Sequence, residues 1–469
     1  MYRTRRCRIR RKRELWEYSR AICVNSARLY NRANFIIRQY ATACRDWEVM
    51  KPLRENQLEV YRMVREVTRG TKYEPKGKWL TYGQLDYILK ATGDPAYKAL
   101  PAQANQQILK RIKRDYKSFF EALKVHKAHP ELFTGRPRMP KYKKKGIAVT
   151  AVLTNQICRI KKEHYIRFPG TGEMLDLGRI PEGSTIKEVR IKPCHGDFFI
   201  EAVLEFPDGV FCRKGKLSGL DEEALREELK GAGTGDYRVA AIDPGVANFC
   251  AVANNFGEKP FLIKGNLIKS ENRYYNKRLA RLQSEADKCN GGITTNRIRR
   301  LTGRRNRIIK HLMHKASRLI TDWAAAHKAD LVVMGHNVFQ KQETDLGHVN
   351  NQTFVQIPYS VFADMLRYKL EEKGIAFLLT EESYTSKADF LAGDRILVYE
   401  EEKKEREKDK DRPKPVFSGE RLGRHYIHFD GTKSNADING AANILRKVFP
   451  NGTGGSRGVV DTPYAVRLA

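Results

Sequence analysis

The 469-residue chain has no apolar run near the ~20 residues a membrane-spanning helix requires, which excludes an integral helical membrane protein. It also lacks cysteine pairs. Cys7, Cys23, Cys44, Cys158, Cys194, Cys212, Cys250 and Cys289 are scattered, and no two form a C-x-x-C. A zinc site has no ligand pair to build on, and a disulfide scaffold is not expected at this length. The cysteines read as small buried apolar residues in a reducing cytosol. The Arg-rich start has no apolar stretch behind it, so no secretory leader is expected. No internal repeat is present. Acidic residues are scarce beside basic ones, 55 Asp and Glu against 88 Lys and Arg, a net +33. That imbalance does not suit an enzyme of small apolar metabolites. It points to a polyanion, nucleic acid before a membrane surface.

What is present is unevenly placed. Residues 1–150 hold 36 Lys and Arg against 13 Asp and Glu, most of the whole excess. Hydrophobic residues make up 41%, enough for sizeable cores. At ~100–200 residues per domain, about three domains are expected. Residues 14–125 read as helical: Leu15, Tyr18, Ile22, Leu29, Ala33 and Ile36 fall on one helical face. The segment from Gly135 to Gly146 holds two prolines, two glycines and six basic residues, and cannot be a helix interior. Short alternating runs then follow to Phe206 and predict a small all-β module, a barrel. Residues 217–236, acidic and then Gly-rich, read as a linker. Residues 237–264 predict three hairpin-joined strands. Helix, strand at Leu331–Met334, helix at 358–373, strand at 375–379 and helix at 436–448 complete the order of an RNase H-like α/β layer. Residues 400–414, with seven acids and seven bases, read as a solvated run.

Cutting a phosphodiester with two metal ions requires carboxylates that converge, because two divalent cations ~3.5–4 Å apart need anionic ligands. In an α/β layer such acids sit where strands end. Asp243 ends the first strand in Ile242-Asp243-Pro244-Gly245. Asp437 opens the last helix in Asn435-Ala436-Asp437-Ile438-Asn439-Gly440-Ala441-Ala442-Asn443-Ile444. The strand Leu331–Met334 runs instead into Gly335-His336-Asn337, and the next strand ends in Thr380-Glu381-Glu382. Singly, these acids read as a turn residue, a helix cap and a solvated pair. Together, in this order of elements, they favour a metal site. Phosphate binders by residue type are Arg136, Arg138, Lys141, Lys143, Lys144 and Lys145 around Tyr142, and Arg299, Arg300, Arg304, Arg305 and Arg307 on the long helix.

At these segments the chain resembles the TnpB family of transposon-encoded nucleases and the related compact type V CRISPR effectors. The matching residues are Ala241–Val246, Val332–Asn337, Thr380-Glu381-Glu382-Ser383-Tyr384-Thr385-Ser386-Lys387 and Asn435–Ile444, with Gly135–Lys143 and Leu29-Tyr30-Asn31-Arg32 nearer the start. The resemblance implies an RNA-guided DNA endonuclease of multidomain α+β fold. It would have a helical recognition lobe, a small β-barrel wedge domain and an RNase H-like (RuvC) α/β nuclease domain. The implied division is a first wedge strand at 1–13, the recognition lobe at 14–132, the wedge at 133–216, a linker at 217–236 and the nuclease at 237–387. A zinc-free insert at 388–430, the last nuclease helix at 431–449 and a tail at 450–469 follow. Mg²⁺, with Mn²⁺ as substitute, would be held by Asp243, Glu382 and Asp437. Guide RNA and target DNA are the implied partners, and a prokaryotic cytosol, on the nucleoid when bound, the implied location.

Two departures stand out. Most of the family has Glu where this chain has Gly335; some branches place it just before the Thr-Ser pair, which gives Glu382 here, with Glu381 the close alternative. The family's ribbon cysteines are replaced by Ala388-Asp389-Phe390. No zinc is expected, since His425 and His428 alone do not make a structural site. A nuclease-inactive RNA-guided repressor is the alternative reading, with Gly335 as its support.

Overall fold

A computed structural model describes residues 2–468 except 12, 163, 208–213, 291–293, 337–356, 397, 399–414 and 454–455. The 400–414 run thus lies outside the described residues. The chain divides into two units, Met1–Val210 and Phe211–Ala469.

In the first unit the strand β1 (Tyr2–Ile9) is followed by helices α1 (Glu14–Glu48), α2 (Glu55–Thr68), α3 (Tyr82–Ala91), α4 (Pro95–Lys98) and α5 (Ala102–Ala128). α1 is long because its buried face runs unbroken from Leu15 through Ile22, Leu29, Ala33, Ile36 and Tyr40. Ser19 and Ser26 interrupt that face at no cost in unpaired polar groups, since each hydroxyl donates to the carbonyl one turn back. Strands β2 (Ala151–Thr154), β3 (Ile160–Lys161), β4 (Tyr165–Arg167), β5 (Met174–Asp176), β6 (Thr185–Cys194) and β7 (Asp197–Glu205) follow. They form two sheets, β1-β7-β6-β2 and β3-β4-β5. This departs from the single closed ladder expected of a barrel: β3, β4 and β5 are only two or three residues long and pair among themselves. The basic start is a strand whose charges are matched across the ladder, Arg6 by Glu201 at 3.4 Å and Arg8 by Asp197 at 2.9 Å.

The second unit opens on helix α6 (Glu222–Gly231) where a linker was expected. Asp221 caps it, accepting from the Ala224 N–H, and Leu225 and Leu229, four residues apart, bury its inner face. Next come β8 (Val239–Pro244), β9 (Asn248–Asn254), β10 (Phe261–Lys264), the paired helices α7 (Asn266–Asn290) and α8 (Asn296–Ala326), β11 (Leu331–Gly335), α9 (Tyr359–Glu371) and β12 (Ala376–Thr380). A small antiparallel sheet, β13 (Glu420–Leu422), β14 (His425–Ile427) and β15 (Lys433–Asn435), leads into α10 (Ala436–Val448). The expected tail instead buries Val459 and Val460 and ends in β16 (Tyr464–Val466), parallel to β10.

The main sheet has the order β12-β11-β8-β9-β10-β16. Its central strands are buried on both faces, so they are apolar throughout. Alternate residues serve alternate faces. Ala240, Ile242, Val332 and Met334 pack with Ile309–Ala324 of α8 and Phe362–Leu370 of α9. Val239, Ala241, Leu331 and Val333 pack with Leu225 and Leu229 of α6 and Ile444–Val448 of α10.

Candidate active site

The three acids come from three elements that meet at one end of this sheet. β11 pairs with β8 so that Met334 faces Ile242, which puts Gly335 level with Asp243. β12 continues the parallel register with Thr380 opposite Gly335, and Glu382 follows two residues later. A Cβ at position 335 would lie 2.7 Å from both Cγ and Oε1 of Glu382 and 2.7 Å from Ile444 Cδ1. The glycine is therefore the space that the Glu382 side chain occupies. On the opposite side a Cβ at Gly440 of α10 would lie 2.6 Å from Asp243 Oδ2. The small residue lets the helix close against the carboxylate. Asp243 is thus enclosed between strand and helix. Burial, then Glu382, then Asp437 push its carboxyl well above the usual carboxylate range, with Arg421 pulling the other way.

Asp437 is not the helix cap that its position suggests. Asn435 takes that role, its side-chain oxygen accepting from the Asp437 and Ile438 N–H groups. The Asp437 carboxylate is instead gripped from two sides. Asn248 Nδ2 donates to Oδ2 at 2.7 Å, and Arg421 Nη2 to Oδ1 at 2.9 Å. Lys264 Nζ, 3.0 Å from Asn248 Oδ1, fixes which end of that amide faces the acid. Among the described residues no three acidic, His or Cys groups are close enough to chelate one ion as they stand. Glu381 points elsewhere: it pairs with Lys447, and its other oxygen accepts from the Ser383 N–H at 3.0 Å. The Pro-Gly turn after Asp243 is held by Tyr359, whose hydroxyl donates to the Gly245 carbonyl at 2.7 Å.

The asparagines of the last-helix segment tie the site together. Asn443 donates to the Thr385 and Ala388 carbonyls, and Asn439 donates to Ala388 and accepts from the Phe390 N–H. Thr385 closes a turn on the Glu382 carbonyl through both its N–H and its hydroxyl. The Thr-Ser-Lys stretch is thereby fixed to α10, which sets the position of Glu382.

Where ribbon cysteines would stand, a buried polar chain runs Asp389–His428–Ser434. His428 Nδ1 is 2.6 Å from Asp389 Oδ1 and Nε2 is 2.8 Å from Ser434 Oγ. Both ring nitrogens are engaged, so His428 offers none to a metal. Asp389 also accepts from the Leu391 and Phe429 N–H groups. This network joins the start of the insert to its small sheet. His428→Ala leaves Asp389 buried without its ring partner. We expect it to cost about 3 kcal/mol of local stability, read as hydrogen exchange or proteolysis confined to 388–435. Wild-type protein should contain no stoichiometric zinc; about one zinc per chain by elemental analysis would overturn this.

In the first unit, Arg136, Arg138, Lys141, Tyr142 and Lys144 are exposed, whereas Lys143 is half-buried with its ammonium 4.3 Å from the Tyr30 ring centroid. Two segments noted separately in the sequence touch here. Asn31 exchanges hydrogen bonds with the Lys143 backbone at 2.7 and 2.8 Å, and Asn34 and Arg38 donate to the Pro140 carbonyl. The Arg38 guanidinium lies over Tyr142 at 4.9 Å. On α8, Arg299, Arg300 and Arg304 are exposed. Arg305 is turned inward, its Nε donating to the buried Asn272 at 2.9 Å, and ties α8 to α7. Sequence reading missed Asn248, Arg421, Tyr359 and Arg38; no local motif marks them, because their partners are distant in sequence.

Two family models match this unit. A "Probable transposase" model (OrfB_IS605) matches residues 234–338, and a "Cas12f1-like, TNB domain" model matches 359–444. No curated protein sequence matches the chain. Among solved structures, a Cas12f1–sgRNA–target DNA complex is similar at 17% identity over 95% of this chain and 98% of that one, TM-score 0.30. A CRISPR-Cas12f ternary complex is similar at 16% over 91% and 80%, TM-score 0.31. The yeast mitochondrial Holliday junction resolvase Ydc2 is similar at 14% over 50% and 88%, TM-score 0.19. With such low superposition scores, the identification rests on the family models. They span Asp243, Glu382 and Asp437 with the elements that carry them, and over residues 234–338 and 359–444 the chain is related to the TnpB family and the compact type V effectors.

Proposed function

We propose that the chain is an RNA-guided DNA endonuclease with an RNase H-like (RuvC) site. The observation that carries this is that Asp243, Glu382 and Asp437 come from separate elements to one end of the sheet, near enough for the other two to raise the Asp243 carboxyl. A fold gains nothing by gathering half-buried like charges, and the donor set is all oxygen, which suits Mg²⁺ or Mn²⁺. Asp243, Glu382 and Asp437 would hold the ions. When bound, Mg²⁺ supplies the positive charge that activates attacking water and offsets charge on the leaving oxygen.

The chain's own residues prepare that chemistry. Gly335 and Gly440 give the two carboxylates room to converge. Asn248 and Arg421 orient Asp437, and the Arg421 guanidinium offsets its charge. Lys447 draws Glu381 away, so one acid of the pair serves the site. In this reading the exposed basic segment around Tyr142 grips the phosphate backbone without reading sequence. Base pairing to a guide RNA reads sequence, as in the Cas12f1–sgRNA–target DNA complex. The occupation of the Gly335 space by Glu382 weighs against a decayed, repressor-only nuclease.

The test is to sequence the RNA that copurifies with the protein and offer DNA matching its guide portion, with flanking sequence randomised. Mg²⁺-dependent cleavage of matching DNA alone is expected. No bound RNA would overturn the guided reading, and bound RNA with target binding but no cutting would favour the repressor.

A further inference from the structure

The helices α7 and α8 carry a second basic feature that the catalytic acids do not explain. Ile268 of α7 and Ile309–Ala324 of α8 pack on the sheet. Beyond them the pair continues as an arm, joined through Asn272 with Arg305 and Tyr275 with Thr302. The arm leaves the sheet at the acid end, because α7 starts directly after Lys264, the residue that reaches Asn248 and through it Asp437. At 1.5 Å per residue, Arg278 lies about 15 Å past Ile268.

There the two helices border a cleft of about 340 Å³. Arg278 and Arg281 line it from α7, and Arg297 and Arg300 from α8. Glu285 is the only acid in its wall and is paired with Arg281 at 3.0 Å. Arg278, Arg297 and Arg300 are exposed and have no acidic partner among the described residues. Tyr274 stands at the sheet-proximal end, 45% exposed, with the Arg304 guanidinium 5.9 Å from its ring. Like charges facing one another across a cleft repel unless an anion lies between them. Guanidinium groups on both walls match the phosphates of a chain, and an exposed tyrosine offers a face on which a base can stack.

We infer that this cleft binds the backbone of the DNA strand that is to be cut and feeds it to the acids. The inference rests on the nuclease reading above. DNA is the occupant chosen because the arm starts from the end of the sheet where cleavage would occur. The arginines here act as positioning residues.

The experiment uses the full chain with its copurified RNA and a single-stranded DNA oligonucleotide, in calcium to prevent cutting. Arg278→Ala/Arg297→Ala/Arg300→Ala is compared with wild type between about 50 and 200 mM salt. Each lost phosphate contact should lower the slope of log affinity against log salt by about 0.7, so about 2 in total. Affinity should fall at least tenfold, and in Mg²⁺ the loss should appear in KM more than in kcat. The Arg→Lys triple variant should recover most of the slope, since charge rather than shape is being read. RNA content should stay unchanged. Loss of RNA with unaltered DNA binding would assign the cleft to the guide, and an unaltered salt slope would make it a solvated surface; either overturns the inference. Because the readout is binding, it stands or falls separately from wild-type cleavage. The single variant Arg300→Glu repeats the test should the triple variant misfold.

Discussion

Glu382→Gln should lower DNA cleavage at least about a hundredfold, the usual loss when one charged group aimed at the reacting centre is removed. Glu381→Gln should leave it within about threefold. The asymmetry follows from where the two neighbours point. Glu382 lies over Gly335 toward Asp243. Glu381 lies against Lys447 and away from that space. Glutamine keeps the shape of each side chain, so the comparison isolates charge. Target binding should be unaffected in both variants. Cleavage lost only in Glu381→Gln would reverse the assignment, and cleavage kept in both would place the third acid elsewhere.

Asp243→Asn should abolish cleavage and yet make the metal-free protein more stable. Burial and the two neighbouring acids hold the Asp243 carboxyl above its ordinary range. The folded chain therefore binds that proton more tightly than the unfolded chain does. The carboxyl's contribution to stability falls as pH rises from the ordinary carboxylate value through the raised one. Asparagine has no such loss. At about pH 8 without divalent metal, the variant should melt at least about 2 °C above wild type, and the gap should close toward about pH 4. Mg²⁺ should raise the wild-type melting temperature and not the variant's. A variant that melts lower than wild type at about pH 8, or a wild type indifferent to Mg²⁺, would refute a metal-binding acid at this position.

Much of the second unit was legible because its strands are buried on both faces and so are written as unbroken apolar runs. Val239–Ile242 and Leu331–Met334 could hardly be anything else, and Ala436–Val448 carries its own cap in Asn435. Asp243 and Asp437 could be read because they stand at the ends of those elements. Helix α6 was hidden by its acidic composition, although Leu225 and Leu229 are the two residues that matter. β16 is three residues long after a Gly-rich stretch and exists through pairing with β10, some 200 positions away. Asn248 lies 189 residues from the carboxylate it holds, and no spacing rule reaches that far. That Glu381 faces Lys447 could not be read, because Lys447 lies on another element.

The contact between Gly335 and Glu382 also constrains how such a site can evolve. An acid could also stand at the end of the strand that here ends in Gly335. An acid there and an acid at 382 would claim the same volume, since even a methyl group at 335 would collide with the Glu382 side chain. A side chain at 335 would therefore have to displace Glu382 from its present position, so this strand end and residue 382 cannot both present an acid without the one moving the other.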